Sequence, residues 1–359
     1  MALLQNKQSG SVTIAVDNFS NTATVTAFVL ARSLLKISVT SSESSPNDGY
    51  VTAVKTNTTT LTFTRTDDQG AATVAWELFE FDSDVTVQDV SKSGAGTAAI
   101  SAVTLAQTFP VCTQTGINAN YQSSETSIIQ FNSTTEIEAV TNGGSPGVHE
   151  VQVVDYTGCA VQNTTHSVST FTSLSTTDTI TEVDTGATLV WGTSTTNAGA
   201  FTTFEDGLFQ LRLTNATTLT MTRADTTSFD FGFNLFAVEF TDGGEVQEGE
   251  LSVASTATSA DATLVDLGDT GRIGTFLGTC HAHGFTYGKS TANSDDIPES
   301  AVRTTLPNTT TFRITRHEGV DRTATVTYQA MEWHVSVPPS GKSVAAVGSM
   351  AARILMGQI

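Results

Sequence analysis

One sequence pattern recurs four times along the chain, and this repeat constrains the fold more than any other feature. In each copy an Asn precedes a strand-like run, and 23 or 24 residues later an acid stands directly before an aromatic residue. The four Asn and acid pairs are Asn57 and Glu80, Asn132 and Asp155, Asn215 and Glu239, and Asn308 and Glu332. Eight residues after the Asn stands Arg65, Arg223 or Arg316, and Val140 takes this place in the second copy. A fixed internal period predicts a repeated structural unit.

Within each copy, apolar and polar residues alternate as they do in β-strands. In Thr58 to Arg65, Leu61 and Phe63 alternate with threonines, which predicts a half-buried antiparallel strand. Ala72 to Phe81 reads as the next strand, and the turn-type cluster Asp67-Asp68-Gln69-Gly70 lies between the two. We therefore expect the two strands to form a β-hairpin in each copy.

The spacing of the copies sets the size of the unit. The period of about 75 to 93 residues is too long for a solenoid repeat and suits a small all-β domain. A Val-Gln pair opens the later copies at Val87-Gln88, Val161-Gln162 and Val246-Gln247, and the first copy begins near Gln8. We predict an all-β chain of four tandem antiparallel β-sandwich modules and a short C-terminal tail. The predicted ranges are 1–84, 85–157, 158–243, 244–336 with a loop insertion at 271–300, and 337–359 for the tail.

Charge and composition exclude two classes of protein. The chain has 36 acidic and 16 basic residues and a net charge of -20, so its field repels a polyanion and we expect no nucleic-acid partner. Only 14% of the residues are charged whereas 65 are Thr and 34 are Ser, so hydroxyl groups must form much of the surface. The 19 Phe and 3 Trp supply apolar area that a disordered chain lacks.

The first residues and the cysteines indicate where the chain is made. We expect no cleavable signal peptide, because no basic stretch precedes an apolar run, and no membrane insertion, because no window approaches 18 apolar residues. Cys112, Cys159 and Cys280 are odd in number and widely spaced, which argues against a disulfide framework and favours buried thiols. Synthesis in a host cytoplasm is the expectation.

The repeated polar residues are interpreted as structural. An enzyme seldom needs the same lone acid once per module, so we expect the repeated acids and Arg residues to form polar bridges at the sandwich edge. Hairpin registry around Gln69 would place Arg65 near Val74 rather than opposite Glu80, so the sequence gives no reason to pair Arg65 with Glu80. The repeated Asn residues match the N-glycosylation pattern, but an Asn that holds the turn before a strand is the preferred interpretation.

Motifs of known enzymes are missing from the sequence. It contains no Gly-x-Ser-x-Gly elbow, no His-Glu-x-x-His, no zinc quartet and no dinucleotide fingerprint. We therefore predict a non-enzymatic protein with no catalytic and no cofactor-binding residues.

The order of the repeated motifs resembles that of a known family. Module one runs from Gln8-Ser9-Gly10 through Asn57 to Arg65 and closes with Val74-Ala75-Trp76 before Glu80-Phe81, while modules three and four keep the closing half. This order resembles virion structural proteins of tailed phages and archaeal tailed viruses, whose β-modules run from "VQ-G" to "N-TTLTF-R" and "V-W-V-EF". The resemblance implies a fibre, spike, collar or capsid-decoration component on the virion surface. It carries over no catalytic or binding residue.

Cys280-His281-Ala282-His283 is the only local cluster with metal-ligand chemistry. In an extended segment His281 and His283 point to the same side, so both imidazoles could reach one ion. Two ligands are too few for a closed site, but a trimer would supply six nitrogens on its axis, which resembles the His-x-His iron site of some phage spike tips. A metal ion at a trimer axis is one hypothesis, and loop histidines or a packed interface are the alternative. No other cofactor is expected.

The tail and the surface suggest partners. The segment 337–359 is rich in Ala and Met and contains no acid, which favours docking on a neighbour over a strand that completes module four. The expected partners are other copies of the chain, most simply in a trimer, other virion proteins, and a host-surface glycan or protein. Two other functions fit a hydroxyl-rich surface: a cell-surface adhesin or surface-layer protein, and a glycan-binding module array. Trp76, Trp191 and Trp333 lie inside predicted strands and are expected to be buried, which counts against the last of these.

Overall fold

The computed structural model confirms an all-β chain built of tandem antiparallel β-sandwich modules. It describes residues 4–43, 45–118, 123–143, 146–171, 173–196, 209–223, 229–279, 301–317 and 323–333. In these ranges the helical segments are short: α1 (Pro46–Gly49) and the 3-10 turns Leu30–Arg32, Leu105–Gln107, Ser123–Glu125 and Thr270–Arg272. None of these helices could cross a lipid bilayer.

Each module contributes six strands in the same order. Module 1 contains β1 (Leu4–Ile14), β2 (Ser20–Thr24), β3 (Ser33–Ser41), β4 (Thr52–Asn57), β5 (Thr60–Thr64) and β6 (Ala72–Phe81). Module 2 contains β7 (Val85–Ser93), β8 (Gly96–Ala99), β9 (Thr108–Gln114), β10 (Ile128–Ser133), β11 (Glu136–Val140) and β12 (Val148–Tyr156). Module 3 contains β13 (Cys159–Phe171), β14 (Ser175–Thr179), β15 (Thr188–Thr196), β16 (Gln210–Asn215), β17 (Thr218–Thr222) and β18 (Phe229–Phe240). Module 4 contains β19 (Glu245–Val253), β20 (Ser259–Thr263), β21 (Ile273–Gly278), β22 (Val302–Asn308), β23 (Thr311–Arg316) and β24 (Ala324–Glu332).

Two three-stranded sheets form every module. The first, sixth and third strands pair in that order and form what we call the inner sheet, as in β1-β6-β3. The second, fifth and fourth strands pair in that order and form the outer sheet, as in β2-β5-β4. In module 1, Leu61 and Phe63 of the outer sheet share one apolar cluster with Val74, Trp76 and Leu78 of the inner sheet.

The outer sheets explain the abundance of threonine. Strand β5 alternates between half-buried and fully buried positions, and β11, β17 and β23 repeat this pattern. In β5 and β17 every half-buried position is a Thr, and the hydroxyls of Thr214 and Thr220 lie 2.8 Å apart on neighbouring strands. Period-two alternation with one face on the core is what a two-layer sandwich requires.

The predicted hairpin between the Thr-rich strand and the strand that closes the module is wrong. Strand β5 pairs with β2 and β4, whereas β6 pairs with β1 and β3, so the two lie in opposite sheets. The connection therefore crosses from one sheet to the other. Asp48 accepts from the backbone N–H groups of Gln69 and Gly70 and so holds the crossing loop. Strand β5 alternates because only one of its faces packs on the core, whereas β6 is buried on both faces, by the core of module 1 and by the hub.

Part of the predicted loop insertion at 271–300 is also wrong. Ile273–Gly278 forms strand β21, the third strand of module 4, and its backbone pairs with β24. The sequence offers little alternation here because both faces of the strand are covered, with Ile273 fully buried. Residues 280–300 and the predicted tail 337–359 lie outside the described residues.

The four modules contact one another in a closed cycle. Polar contacts join module 1 to module 2, module 2 to module 3, module 3 to module 4, and module 4 back to module 1. The inner sheets turn their second faces toward a shared apolar cluster to which all four modules contribute. We call the region where the four inner sheets meet the hub.

Candidate functional site: the hub between the modules

The aromatic residues that follow the repeated acids meet at the centre of the hub. They are Phe81, Tyr156, Phe240 and Trp333, one from each module, and all four are buried. Ring centroids of neighbouring modules are 4.9 to 6.3 Å apart, within the usual range for interacting aromatic pairs. Tyr156 also donates its hydroxyl to Asp242 Oδ2 at 2.6 Å, so its polar end has a partner. The repeated aromatic is thus a contact between modules.

A repeated side chain closes two of the four interfaces. Gln152, three residues before the repeated acid of module 2, accepts from the backbone N–H of Leu35 at 2.8 Å and donates to the Leu35 carbonyl. Gln329 occupies the same position in module 4 and bonds to both backbone groups of Val190, at 2.8 and 2.7 Å. Leu35 and Val190 are equivalent residues of β3 and β15, the third strands of modules 1 and 3. Each Gln therefore satisfies an edge strand whose backbone groups would otherwise be buried unpaired.

At the interface between modules 4 and 1, the charged side chain of Glu77 occupies the position that Gln152 and Gln329 occupy at the other two interfaces. Glu77 accepts from the backbone N–H of Thr275 at 2.9 Å and from its hydroxyl at 2.6 Å. Lys7 Nζ lies 2.8 Å from Glu77 Oε1, and Lys36 Nζ lies 3.7 Å from Glu77 Oε2. Lys36 also donates to the hydroxyls of Thr275 and Thr304. An ionic cluster thus joins the first module to the last.

Burial governs the charges in this cluster. Desolvation lowers the pKa of Lys36 to about 8, although Glu77 opposes the shift. Burial alone would raise the pKa of Glu77, but the two lysines outweigh it and hold that pKa below its usual value. The carboxylate is therefore firmly ionised at neutral pH.

The interface between modules 2 and 3 departs from this pattern. At the position of Leu35 and Val190, module 2 has Pro110, which has no backbone N–H to donate. At the position of the glutamines, module 3 has Phe236, which stacks on Trp191 with ring centroids 6.1 Å apart. Trp191 Nε1 donates to the Pro110 carbonyl at 3.1 Å. An indole thus supplies the donor that a Gln supplies elsewhere.

Further bonds reinforce the same interface. Asn234 donates to the Ile129 carbonyl at 2.8 Å, and the Ile129 N–H donates to Thr193 Oγ1 at 2.9 Å. Both bonds are buried, so the backbone of Ile129 is satisfied across the interface.

The predicted Arg positions lie inside their modules. Arg65, Arg223 and Arg316 are nearly inaccessible to solvent. Arg65 donates to the carbonyls of Asn18, Ala15 and Asp48. Arg316 donates to the carbonyls of Ala257, Ala254 and Ser255, and Arg223 to that of Ser173. The guanidinium groups therefore hold the loop between the first and second strands.

Three of the predicted acid positions accept from backbone N–H groups of their own module. Glu80 accepts from the N–H of Val29 at 3.0 Å, and Glu239 accepts from the N–H of Asp184 at 2.9 Å. Asp155 accepts from the backbone N–H of Thr104 at 3.4 Å and from the side-chain amide of Gln107 at 2.7 Å. Glu332 ends β24 at the same place in module 4, where it pairs with Glu245 and Ile273. Glu80 and Arg65 do not bond to each other in the described contacts.

The predicted Asn positions hold the turn between the fourth and fifth strands in three modules. Asn57, Asn215 and Asn308 each accept from the backbone N–H two residues later, at 2.9 Å. In module 2 the residue that holds this turn is Ser133, one position after the predicted Asn132. The Ser133 hydroxyl accepts from the backbone N–H of Thr135, while the Asn132 side chain donates to the Glu136 carboxylate. The Arg position of module 2 shifts with it from Val140 to Thr141. Pairing shows the slip, because Ser133 lies opposite Glu136 as Asn57 lies opposite Thr60.

The Gln of each opening motif has a role that sequence reasoning missed. Gln8 accepts from the Thr26 N–H at 2.7 Å and donates to the Thr26 carbonyl at 2.9 Å. The same pair of bonds recurs between Gln88 and Ser101, Gln162 and Thr181, and Gln247 and Val265. The recurrence of the Val-Gln pair was the feature of the sequence that could have pointed to this role.

One pair in the described residues resembles a catalytic dyad. Ser127 Oγ lies 2.6 Å from His149 Nε2, and Ser127 also donates to Gln114 at 2.9 Å. Ser127 and His149 have no solvent-exposed surface, and burial lowers the pKa of His149 to about 4. A nucleophile with no access to substrate cannot turn over, so we interpret the pair as a structural link.

Of the predicted metal ligands and cysteines, only Cys112 and Cys159 lie among the described residues. His281, His283 and Cys280 lie outside the described residues. In the part of the chain that the structure describes, no three His, Cys, Asp or Glu side chains are grouped to hold a metal ion. Cys112 and Cys159 are free, and burial raises the pKa of both thiols, which keeps them protonated.

Comparison with known proteins adds no further assignment. Neither a protein-family model nor a curated protein matches this sequence.

Proposed function

We propose that this chain is a non-enzymatic structural protein of a tailed-virus particle, a fibre, spike, collar or capsid-decoration component. The observation that carries the proposal is the use made of the repeated residues. In at least three modules each, the repeated Asn, Arg, acid and opening Gln positions bond to backbone groups of their own module. The repeated aromatics join the modules to each other. Because these repeated polar residues bond to groups of the chain itself, they support a structural role rather than a catalytic one.

The architecture suits a component that must keep its shape outside a cell. Four modules that close into a cycle leave no module attached on one side only, so each is supported by two neighbours. The outward faces carry Thr, Ser and acids, which keep the particle surface hydrated and of one sign. Self-association, most simply into a trimer, and contact with a host-surface glycan or protein are parts of this proposal.

The glycan-binding alternative draws no support from the tryptophans. Trp76 and Trp333 are buried, and Trp191 is half-buried with its ring stacked on Phe236. Glycan platforms need exposed aromatic faces, and none of these three provides one. An adhesin or surface-layer protein would need the same scaffold but a different location.

Mass spectrometry of gradient-purified particles tests the proposal directly. We expect the chain to co-sediment with the particles at a fixed ratio to the capsid protein and to remain after a high-salt wash. Its absence from washed particles would sink the proposal. Its recovery from the surface of intact uninfected cells would favour the adhesin instead, and saturable binding on a glycan array would favour the third function.

A further inference from the structure

An open groove lies at the surface where module 3 passes into module 4. It has a volume of about 800 Å³, and its wall includes the end of β18, residues of the linker that follows and the start of β19. Gly186, Gly243 and Gly244 contribute to the wall, so part of it is bare backbone. The groove is therefore accessible to a segment of polypeptide.

Three carboxylates line this groove, and we call it the acidic groove. Asp184 and Glu245 are exposed and Glu239 is half-buried. None of the three forms an ion pair with a Lys or Arg of the described ranges. Glu245 also lies opposite Glu332 across the antiparallel pair of β19 and β24, where like charges repel. The acidic groove thus holds negative charge that the described residues do not compensate.

A metal ion does not suit this arrangement. Among the described residues no three His, Cys, Asp or Glu side chains are close enough together to hold one ion. The carboxylates of the acidic groove are therefore too far apart to share a metal. A cationic occupant that reaches all of them must be larger than an ion.

An apolar side chain is exposed in the same wall. Val265 is 74% exposed, the largest fraction for any large apolar residue in the described ranges. The equivalent residues of the other modules, which also bond to the opening Gln, are Thr26, Ser101 and Thr181. Only module 4 replaces a hydroxyl residue by an apolar one at this place. The acidic groove therefore offers an apolar contact beside its carboxylates.

The described part of the chain ends beside the acidic groove. Glu332, the last residue of β24, lies opposite Glu245, and the ring of Trp333 lies 5.3 Å from that of Phe240, which lines the groove. The segment 334–359 follows directly. It contains Lys342 and Arg353 and no acid, although the net charge of the chain is -20, and half of its residues are Ala, Val, Ile, Leu or Met. Its composition is thus complementary to the wall of the groove.

We propose that the segment 334–359 docks in the acidic groove of its own chain, with Lys342 among the carboxylates and its apolar residues against Val265. Lys342 is nine residues past Trp333, and an extended chain covers up to about 3.6 Å per residue, so its ammonium group can reach a groove that begins at Trp333. A tethered segment also meets its own groove at a far higher effective concentration than the groove of a free second copy. This placement differs from the docking on a neighbour that composition alone suggested.

Zero-length cross-linking of the full chain with a carbodiimide tests the placement. The reagent activates a carboxylate, and a primary amine in contact with it then forms an amide. We expect mass spectrometry to find Lys342 joined to Asp184, Glu239 or Glu245. The link should disappear in Lys342→Arg, which keeps the charge but has no primary amine. Lys342 joined mainly to acids outside the groove, or to none, would overturn the proposal.

A mixture of unlabelled and isotope-labelled chains identifies which copy supplies the segment. Links between Lys342 and the acidic groove within one label support docking on the same chain. Links that join the two labels at the same rate would show that the segment occupies a second copy, which refutes the proposal.

Trypsin cleavage after Lys342 measures how firmly the segment is held. Glu239→Gln removes a charge but keeps the oxygen that accepts from the Asp184 N–H, and we expect it to speed this cleavage about threefold. Glu80→Gln makes the same change at the equivalent place of module 1, where the acceptor serves Val29, and should leave the rate unchanged. High salt should speed cleavage of the native chain, because exposed ion pairs are screened. Equal rates in the native chain and Glu239→Gln contradict the role of the carboxylates.

Val265→Thr tests the apolar contact without adding bulk. It gives module 4 the residue type that modules 1 and 3 carry at this position, so the fold should tolerate it. We expect faster cleavage after Lys342 than in the native chain. An unchanged rate, together with cross-links that avoid the groove, would show that the segment docks elsewhere.

Discussion

The side-chain amide of Gln152 satisfies both backbone groups of Leu35, accepting from the N–H at 2.8 Å and donating to the carbonyl. Leu35 lies on β3, the edge strand of an inner sheet, and every residue of β3 is buried. An edge strand normally offers its free N–H and C=O groups to another strand. Here a side chain from the next module takes those groups, which joins two sandwiches without merging their sheets.

Replacing Gln152 should therefore reduce stability far more than replacing a half-buried glutamine with the same bonding pattern at the surface. Gln152→Ala leaves the Leu35 N–H and C=O buried without partners, and we expect a loss of about 2 to 4 kcal/mol in the free energy of unfolding. Gln88→Ala removes the matching pair of bonds to Ser101 at the exposed surface and should cost about 1 kcal/mol. Urea unfolding measures both. Equal losses would show that the interface bonds are not buried in solution.

The three buried guanidinium groups lead to a second prediction. Arg65→Met leaves the carbonyls of Asn18, Ala15 and Asp48 without a charged donor, and we expect a loss of about 3 to 5 kcal/mol. Arg65→Lys keeps the charge but not the planar fork, so its loss should be smaller but clear. Arg272→Met is the control, because 41% of the Arg272 side chain is exposed, and it should change stability by less than about 0.5 kcal/mol. A similar value for Arg65→Met and Arg272→Met in urea unfolding would contradict the structural role.

The sequence predicted those features of the fold that depend on local pattern. Alternation around Leu61 and Phe63 revealed a half-buried strand, and the repeat of Asn, Arg and acid revealed four modules. The partner of that strand could not be read in the same way, because β5 and β6 contribute to one core from opposite sheets, and a local pattern does not show in which sheet a strand lies. Adjacency in sequence therefore suggested a hairpin that does not exist.

The hub was beyond the reach of sequence reasoning for a different reason. Its bonds join residues 117, 139 and 198 positions apart, as in Leu35 with Gln152, Val190 with Gln329, and Thr275 with Glu77. In the sequence, Gln152, Gln329 and Glu77 look like ordinary polar residues of their strands. Only the packing of one whole module on another brings each of them to the backbone of a neighbouring module. The repeated aromatic was visible as a motif, but its meeting with three copies of itself was not.

The exceptional interface between modules 2 and 3 can be tested by restoring the common pattern. Phe236→Gln alone places an amide opposite Pro110, which has no N–H to offer, and Pro110→Leu alone creates a backbone N–H with no acceptor. The double variant supplies both partners. In a double-mutant cycle we expect it to be about 1 to 2 kcal/mol more stable than the sum of the single losses. Additive losses would mean that the stacking of Phe236 on Trp191, and not the lack of a backbone N–H at Pro110, determines which residue this position needs.

His149 should make stability fall as the solution becomes acidic. Burial lowers the pKa of His149 from 6.5 to about 4, so below pH 6.5 the unfolded chain takes up a proton that the folded chain refuses. Stability from this group is fully present above pH 6.5 and declines as the pH falls toward 4. By pH 5 the loss should be about 2 kcal/mol. Urea unfolding from pH 7 to pH 4.5 measures it, with His149→Gln as the reference, since glutamine does not titrate. Equal slopes for the native chain and His149→Gln would show that other groups carry the acid sensitivity.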